Sequence, residues 1–293
     1  MTSDEMTSNE AAGPGRKYKL PSEISQLISV FGAQMRLYSK SKVAIAFIIL
    51  ALVIPVLAYS GAAETIIKGM IKAIPSTSYL LILLPLFTIA IPAMMAGRIL
   101  SSEFANRTAY LLFTLPVSRT TYYLGKFLAA LTLSIGVFAM AYAFAVICGS
   151  GMYGPSYPND VLSSFVMCAV GVFALTAMAY GLSTYFKKGS TGLVISMMIF
   201  LPMIILALRG MTGDLDLSEG TGSSVFDPLM MLPPFTGYQS LYLIDNGIGG
   251  TSLRSLFKAF IGPYPLFAYL LVSIIWGTVF LILGMLNVKR KEL

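Results

Sequence analysis

Apolar residues along this chain neither alternate with polar ones nor trace a single helical stripe over most of its length. They gather in runs that are apolar on every side, and six such runs occupy residues 43–59, 79–97, 127–150, 161–186, 190–208 and 266–287. A helix needs about 20 apolar residues to cross a hydrocarbon core of about 30 Å. The runs meet that length, the first near its lower limit. A transmembrane β-barrel would show period-two alternation instead. The pattern predicts an all-α integral membrane protein with six transmembrane helices.

The segments between the runs read differently. Residues 1–20 carry little apolar content and much Ser, Thr, Gly and Glu, which predicts a disordered lead. From Pro21 the pattern changes: Ser22 suits a helix cap, and Ile24, Leu27, Ile28, Phe31, Met35 and Tyr38 recur at spacings of three and four. Residues 21–42 therefore predict an amphipathic helix with Arg36, Lys40 and Lys42 crowded at its C-terminal end. Such a helix can lie in the headgroup layer or dock on a cytosolic partner, and the pattern fits both. Pro55, Pro85, Pro92 and Pro202 fall inside runs, where kinks are expected and neighbouring helices can satisfy the freed carbonyls. The short connections 149–160 and 187–189 predict antiparallel neighbours for runs three, four and five. Residues 209–265 form the longest connection. It begins as a polar loop with Asp214, Asp216 and Glu219, then becomes apolar but broken by Pro228, Pro233, Pro234 and Gly237. Material too interrupted to span suits re-entrant or interfacial helices at an outer mouth.

Composition supports lipid as the solvent. Apolar residues make up 56% of the chain and charged ones 11%, with a mean hydropathy of +0.79. A soluble domain carries about 25% charged residues to cover its surface. The formal charge of +7 could suggest nucleic acid, but its distribution is topological: alternate sides of the six runs receive 15 and 5 of the Lys and Arg residues. Basic residues are retained on the cytoplasmic side of short loops, so both termini are expected in the cytoplasm, with no nucleic-acid partner. The first 42 residues are too long and polar for an ordinary signal-peptide start, although Ala58 and Ser60 imitate a cleavage site. Without eukaryotic targeting signals, the expected home is a prokaryotic plasma membrane.

Several chemistries lack their residues. There is no histidine, and none of the six runs contains Asp, Glu, Lys or Arg. That argues against imidazole relays, His-ligated metals and ion-coupled or proteolytic intramembrane carboxylates. No phosphate loop occurs, since the one Gly–Lys pair, Gly125 and Lys126, lacks the upstream glycine. Cys148, Cys168 and the paired methionines lie among apolar residues and read as packing. Asn106, Arg107 and Thr108 match a glycosylation acceptor but fall on the expected cytoplasmic side. No catalytic or metal-ligating residue is expected, and the chain is not read as an enzyme.

Residues 98–126, between runs two and three, carry the most information. Ser101 or Ser102 can cap a helix with Glu103 in its first turn, which suits the helix dipole. An apolar stretch then reaches Pro116, after which Ser118 caps a second helix through Tyr122, Tyr123 and Lys126. The result is a cytoplasmic helix–break–helix hairpin, partly apolar and studded with Arg107 and Arg119. An exposed apolar surface of this kind calls for a partner; packing beneath its own bundle is the alternative.

At these residues the chain resembles the permeases of ATP-binding-cassette transporters of the type-2 exporter family. The likeness rests on Glu103, on the run Leu115, Pro116, Val117, Ser118, Arg119, and on Leu124, Gly125, Lys126, Phe127 at the start of run three. The resemblance implies that the hairpin contacts a separate cytosolic ATPase, which binds ATP and Mg, with no cofactor in this chain. Glu103, Arg107 and Arg119 would then be polar contact or orienting groups. Leu115 and Pro116 would shape the hairpin, and Gly125 and Lys126 would set the start of span three. It also implies a second permease, an identical copy or a paralogue; Gly171, Ala174, Ala177 and Gly181 offer a small-residue face for it, though packing within one bundle would use them equally. The expected function is ATP-driven transport by alternating access. The alternative is a membrane scaffold or an assembly or regulatory protein without transport.

Overall fold

The computed structural model describes residues 22–59, 91–92, 94–97, 99, 118–153, 161–185 and 266–290. Its helices are α1 (Glu23–Ser39), α2 (Lys42–Tyr59), α3 (Arg119–Tyr153), α4 (Val161–Ser183) and α5 (Leu266–Arg290). All regular structure among the described residues is helical. Residues 1–20, the longest connection at 209–265, the run at 190–208, and Glu103, Arg107, Leu115 and Pro116 of the hairpin lie outside the described residues.

Local signals explain where the helices start and stop. At the head of α1, Ser22 Oγ accepts from the N–H of Ser25 at 3.3 Å, and Glu23 places negative charge in the first turn. This satisfies an orphan donor and suits the positive end of the helix. At the other end the N–H of Lys40 reaches the carbonyl of Leu37, and Ser41 starts the next helix by accepting from Ile45 at 3.1 Å. Ser118 caps α3, with its Oγ accepting from the N–H of Thr121 at 3.1 Å and its carbonyl from Tyr122 at 3.0 Å. α2 runs through Pro55 without ending.

Among the described residues, three helices are long and apolar enough to cross a membrane: Arg119–Phe144, Leu162–Ser183 and Phe267–Arg290. α3 itself has 35 residues, about 52 Å at about 1.5 Å per residue, so it outreaches a hydrocarbon core of about 30 Å. Large apolar side chains remain exposed along α2 and α5, among them Ile49, Val56, Ile275 and Ile282. Surface of that kind fits lipid, or a further apolar helix, in place of water.

α3 and α4 are antiparallel. Tyr142 bonds Ser164 at 3.1 Å at one end, and Phe127 meets Tyr180 at 5.8 Å between ring centroids towards the other. α4 and α5 run parallel and in constant register. Ala174 faces Gly277, Gly181 faces Gly284, and Thr184 bonds Asn287. Backbones come this close because the contact positions are glycine or alanine. A Cβ on Gly277 would stand 2.8 Å from Phe173 and 3.0 Å from the Cα of Ala174, and one on Gly181 would overlap the carbonyl of Phe280. Of the small-residue face read in the fourth run, Ala174 and Gly181 are thus taken up by α5 of the same chain.

Candidate functional site

Residues 98–126 join the second and third apolar runs, and α1 bonds the chain both before this segment and within it. From α1, the Tyr38 hydroxyl donates to the carbonyl of Met95 at 3.0 Å, and Gln26 Oε1 accepts from the N–H of Ser118 at 3.4 Å. Met95 precedes residues 98–126, and Ser118 caps α3. Burial raises the Tyr38 phenol pKa well above its ordinary value, with a smaller opposing effect from its bond with Gln34. The phenol therefore remains a hydrogen-bond donor at any physiological pH.

Gly125 lets α1 sit close against α3. An added Cβ would lie 3.0 Å from Val30 Cγ1 and 3.2 Å from the carbonyl of Leu27. Leu27, Val30, Gln34 and Tyr38 recur at three and four, so one stripe of α1 turns towards α3. The stripe read from sequence is thereby split. Tyr38 is buried and Leu27 half-buried, whereas Ile24 and Ile28 stay 72% and 62% exposed. Gln34, a polar residue outside the expected stripe, is buried.

The hairpin residues that are described differ in their surroundings. Arg119, the first residue of α3, is half-exposed. Lys126 is only 5% exposed, with Nζ 4.4 Å from the centroid of the Tyr122 ring. An ammonium over an aromatic face is attracted by the ring quadrupole. Lys126, read from sequence at the entry to the third span, is buried here. α3 starts well before the apolar run at Phe127, and this extra helix carries Lys126 into the packed interior.

One turn earlier stands Tyr123, fully buried, whose hydroxyl donates to the carbonyl of Leu281 in α5 at 3.2 Å. Its own carbonyl accepts from the Tyr180 hydroxyl of α4 at 2.9 Å, and the two rings lie 4.7 Å apart. The Tyr123 hydroxyl also abuts Gly284, where an added Cβ would overlap it. Nearby, Asn287 Nδ2 donates to the carbonyl of Thr184 at 3.0 Å and to its hydroxyl at 3.1 Å. Sequence reading passed over Gln26, Gln34 and Asn287. It named Tyr123 only as a residue along a helix. Gly277 and Gly284, seven apart on one face of the last run, were the signal available for this joint. Among the described residues no cluster of His, Cys, Asp and Glu could hold a metal ion.

Residues 72–286, most of the chain, match the family model described as ABC-2 family transporter protein. The chain belongs to the ABC-2 family of transporter membrane proteins. No curated protein matches it. The ABC-2 match takes in the hairpin, α3, α4 and nearly all of α5, whereas α1 precedes it. In this ABC-2 permease the helix that braces the hairpin is therefore contributed by sequence outside the matched region.

Proposed function

We propose that this ABC-2 permease moves its substrate across the plasma membrane by alternating access, powered by a separate cytosolic ATPase that binds ATP and Mg. The observation that carries the reading is the brace of α1. One helix grips the chain before the hairpin through Tyr38 and after its break through Gln26. A force applied to the hairpin then reaches the bundle along fixed contacts and is not dissipated in a loose loop. In this reading Glu103, Arg107 and Arg119 meet or orient towards the ATPase, and Leu115 and Pro116 shape the hairpin. Gly125 and Lys126 act inside the permease: Gly125 seats α1, and Lys126 packs on Tyr122.

The topology proposed is six spans with both termini cytoplasmic. The parallel register of α4 and α5 supports it, since two parallel spans in one chain require a return crossing between them, and residues 190–208 supply an apolar run of the right length. Two permeases and two ATPase chains would complete the transporter. The second permease would be an identical copy or a paralogue, and it would use a face other than the one α5 covers on α4.

Purification of the chain from its native membrane in mild detergent tests the reading. Co-purification of an ATPase, with vanadate-sensitive ATP hydrolysis by the complex, is the expected result. A chain that purifies with no nucleotide-hydrolysing partner, and supports no ATP-dependent flux in vesicles, would sink the proposal.

A further inference from the structure

We infer that Tyr123 is a positioning residue for coupling, the joint through which movement of the hairpin reaches α4 and α5 together. The inference rests on the reading of this chain as an ATPase-driven permease and adds a residue which that reading does not assign.

The argument is geometric. Tyr123 lies in the second turn of α3, shortly after the capping Ser118. Any displacement of the hairpin at that cap is carried to this turn by an unbroken helix. From it, two bonds leave in different directions: the hydroxyl donates to Leu281 of α5, and the backbone carbonyl accepts from Tyr180 of α4. The ring also fills the space that Gly284 leaves open, with its Cζ 3.3 Å from where a Cβ would stand there. α4 and α5 cannot respond separately. Gly181 and Gly284 bring their backbones into contact, and Asn287 fastens to Thr184 just beyond. The pair is a single body that α3 holds at one end, where Tyr123 bonds both helices and Phe127 packs against Tyr180. At the opposite end α3 meets α4 through Tyr142 and Ser164. A tilt imposed at Tyr123 is therefore expressed as a change in separation between the far ends of α3 and α5.

The test places spin labels at those far ends, on Ile147 of α3 and Phe267 of α5, which are 64% and 71% exposed. Cys148 and Cys168 are first replaced by serine and alanine. The permease, in lipid nanodiscs with the ATPase that co-purifies, is measured by electron–electron resonance at rest and after trapping with ATP and vanadate. The unsubstituted joint should show a shift in the distance distribution on trapping. In Tyr123→Leu, which removes both wedge and bond, the shift should vanish while the complex still assembles and hydrolyses ATP. Tyr123→Phe, which removes only the bond, should diminish it. Tyr185→Phe is the control. It removes a similar bond, from the turn after α4 to the carbonyl of Leu283 at 3.3 Å, while leaving the bonds of Tyr123 to Leu281 and Tyr180 in place, and should leave the shift intact. If Tyr123→Leu fails to assemble, Tyr123→Phe and Tyr180→Phe carry the test, each with a reduced shift expected. A full shift in the Tyr123 variants, or an equal loss in Tyr185→Phe, overturns the assignment. No shift in the unsubstituted complex overturns the transport reading, and this inference with it.

Discussion

A methyl group added to Gly284 of α5 would stand 2.8 Å from the Cα of Gly181 in α4. Approach at that range requires a glycine on at least one side, and it recurs where Gly277 meets Ala174. Lipid is as apolar as leucine, so burial of apolar surface from water contributes nothing to joining two helices in the membrane. Close packing and interhelical hydrogen bonds do so instead.

Gly181→Ala and Gly284→Ala should each push α4 and α5 apart, because the atoms they meet include backbone that cannot turn away. Overpacking of this kind costs about 1–3 kcal/mol, seen as a lowered unfolding midpoint of the purified chain in detergent. Gly32 of α1 offers the contrast: an added Cβ there meets nothing within 4 Å. Gly32→Ala should be neutral or stabilising by up to about 1 kcal/mol, since alanine loses less backbone freedom in a helix. Equal destabilisation at all three positions would refute the packing account.

The seat of α1 gives a second prediction. Gly125→Ala would set a Cβ at 3.0 Å from Val30 Cγ1, tighter than carbon atoms normally approach. Hydrogen exchange over Glu23–Ser39 should quicken as the helix lifts. Val30→Ala in the same chain should restore part of the protection but not all, because the carbonyl of Leu27 stays 3.2 Å away. A double-mutant cycle with no coupling between the two positions would contradict the contact.

Much of this arrangement could be read from sequence, and the part that could not has a physical reason. Apolar runs identify helices in lipid because every backbone polar group must be paired within the segment. Ser118 was readable as a cap because its chemistry is local. The partner of a small-residue face is not local. Ala174 and Gly181 suit any close-packed neighbour, and their actual one lies in α5, beyond the fifth run. Likewise the periodicity of α1 marked an apolar arc, but only the position of Gly125 decides that Leu27 and Tyr38 turn inwards while Ile24 and Ile28 do not. The bonds of Tyr123 escaped notice because they run to helices distant in sequence, and the local pattern shows only a residue along a helix. Of the proposed coupling residues, Gly125 and Lys126 gain an environment from the structure; Glu103, Arg107, Leu115 and Pro116 rest on the hairpin pattern and the family.

Tyr38→Phe tests the brace at the near side of the hairpin. The substitution keeps the buried ring and removes the donor to Met95. The net loss for one such bond is about 0.5–1.5 kcal/mol, enough to raise exchange at Ser39 and Lys40 without unfolding the bundle. Gln26→Leu should have a smaller effect on stability, because its bond to Ser118 is longer, at 3.4 Å, and only part-buried. If the brace transmits force, both variants should lower the rate of ATP-driven flux more than the rate of ATP hydrolysis. A proportional fall in the two rates would make the brace merely structural.

The parallel register of α4 and α5 makes a topological prediction that does not depend on the family. Both helices end at the same face, where Thr184 meets Asn287, and α3 starts there, at the joint between Tyr123 and Leu281. Lys188 follows α4 by a few residues and Arg107 precedes α3 within the hairpin, so a single face should carry both. We propose that this face is cytoplasmic, because Lys and Arg are retained on the inner leaflet. In a chain without Cys148 and Cys168, Arg107→Cys and Lys188→Cys should react with an impermeant thiol reagent in inside-out vesicles and stay protected in intact cells. Ser223→Cys, in the long connection between the fifth and sixth runs, should show the reverse. Labelling of Arg107→Cys from outside the cell would remove the hairpin from any cytosolic ATPase. Labelling of Lys188→Cys and Arg107→Cys from opposite sides would contradict the shared end that Tyr123 and Asn287 define.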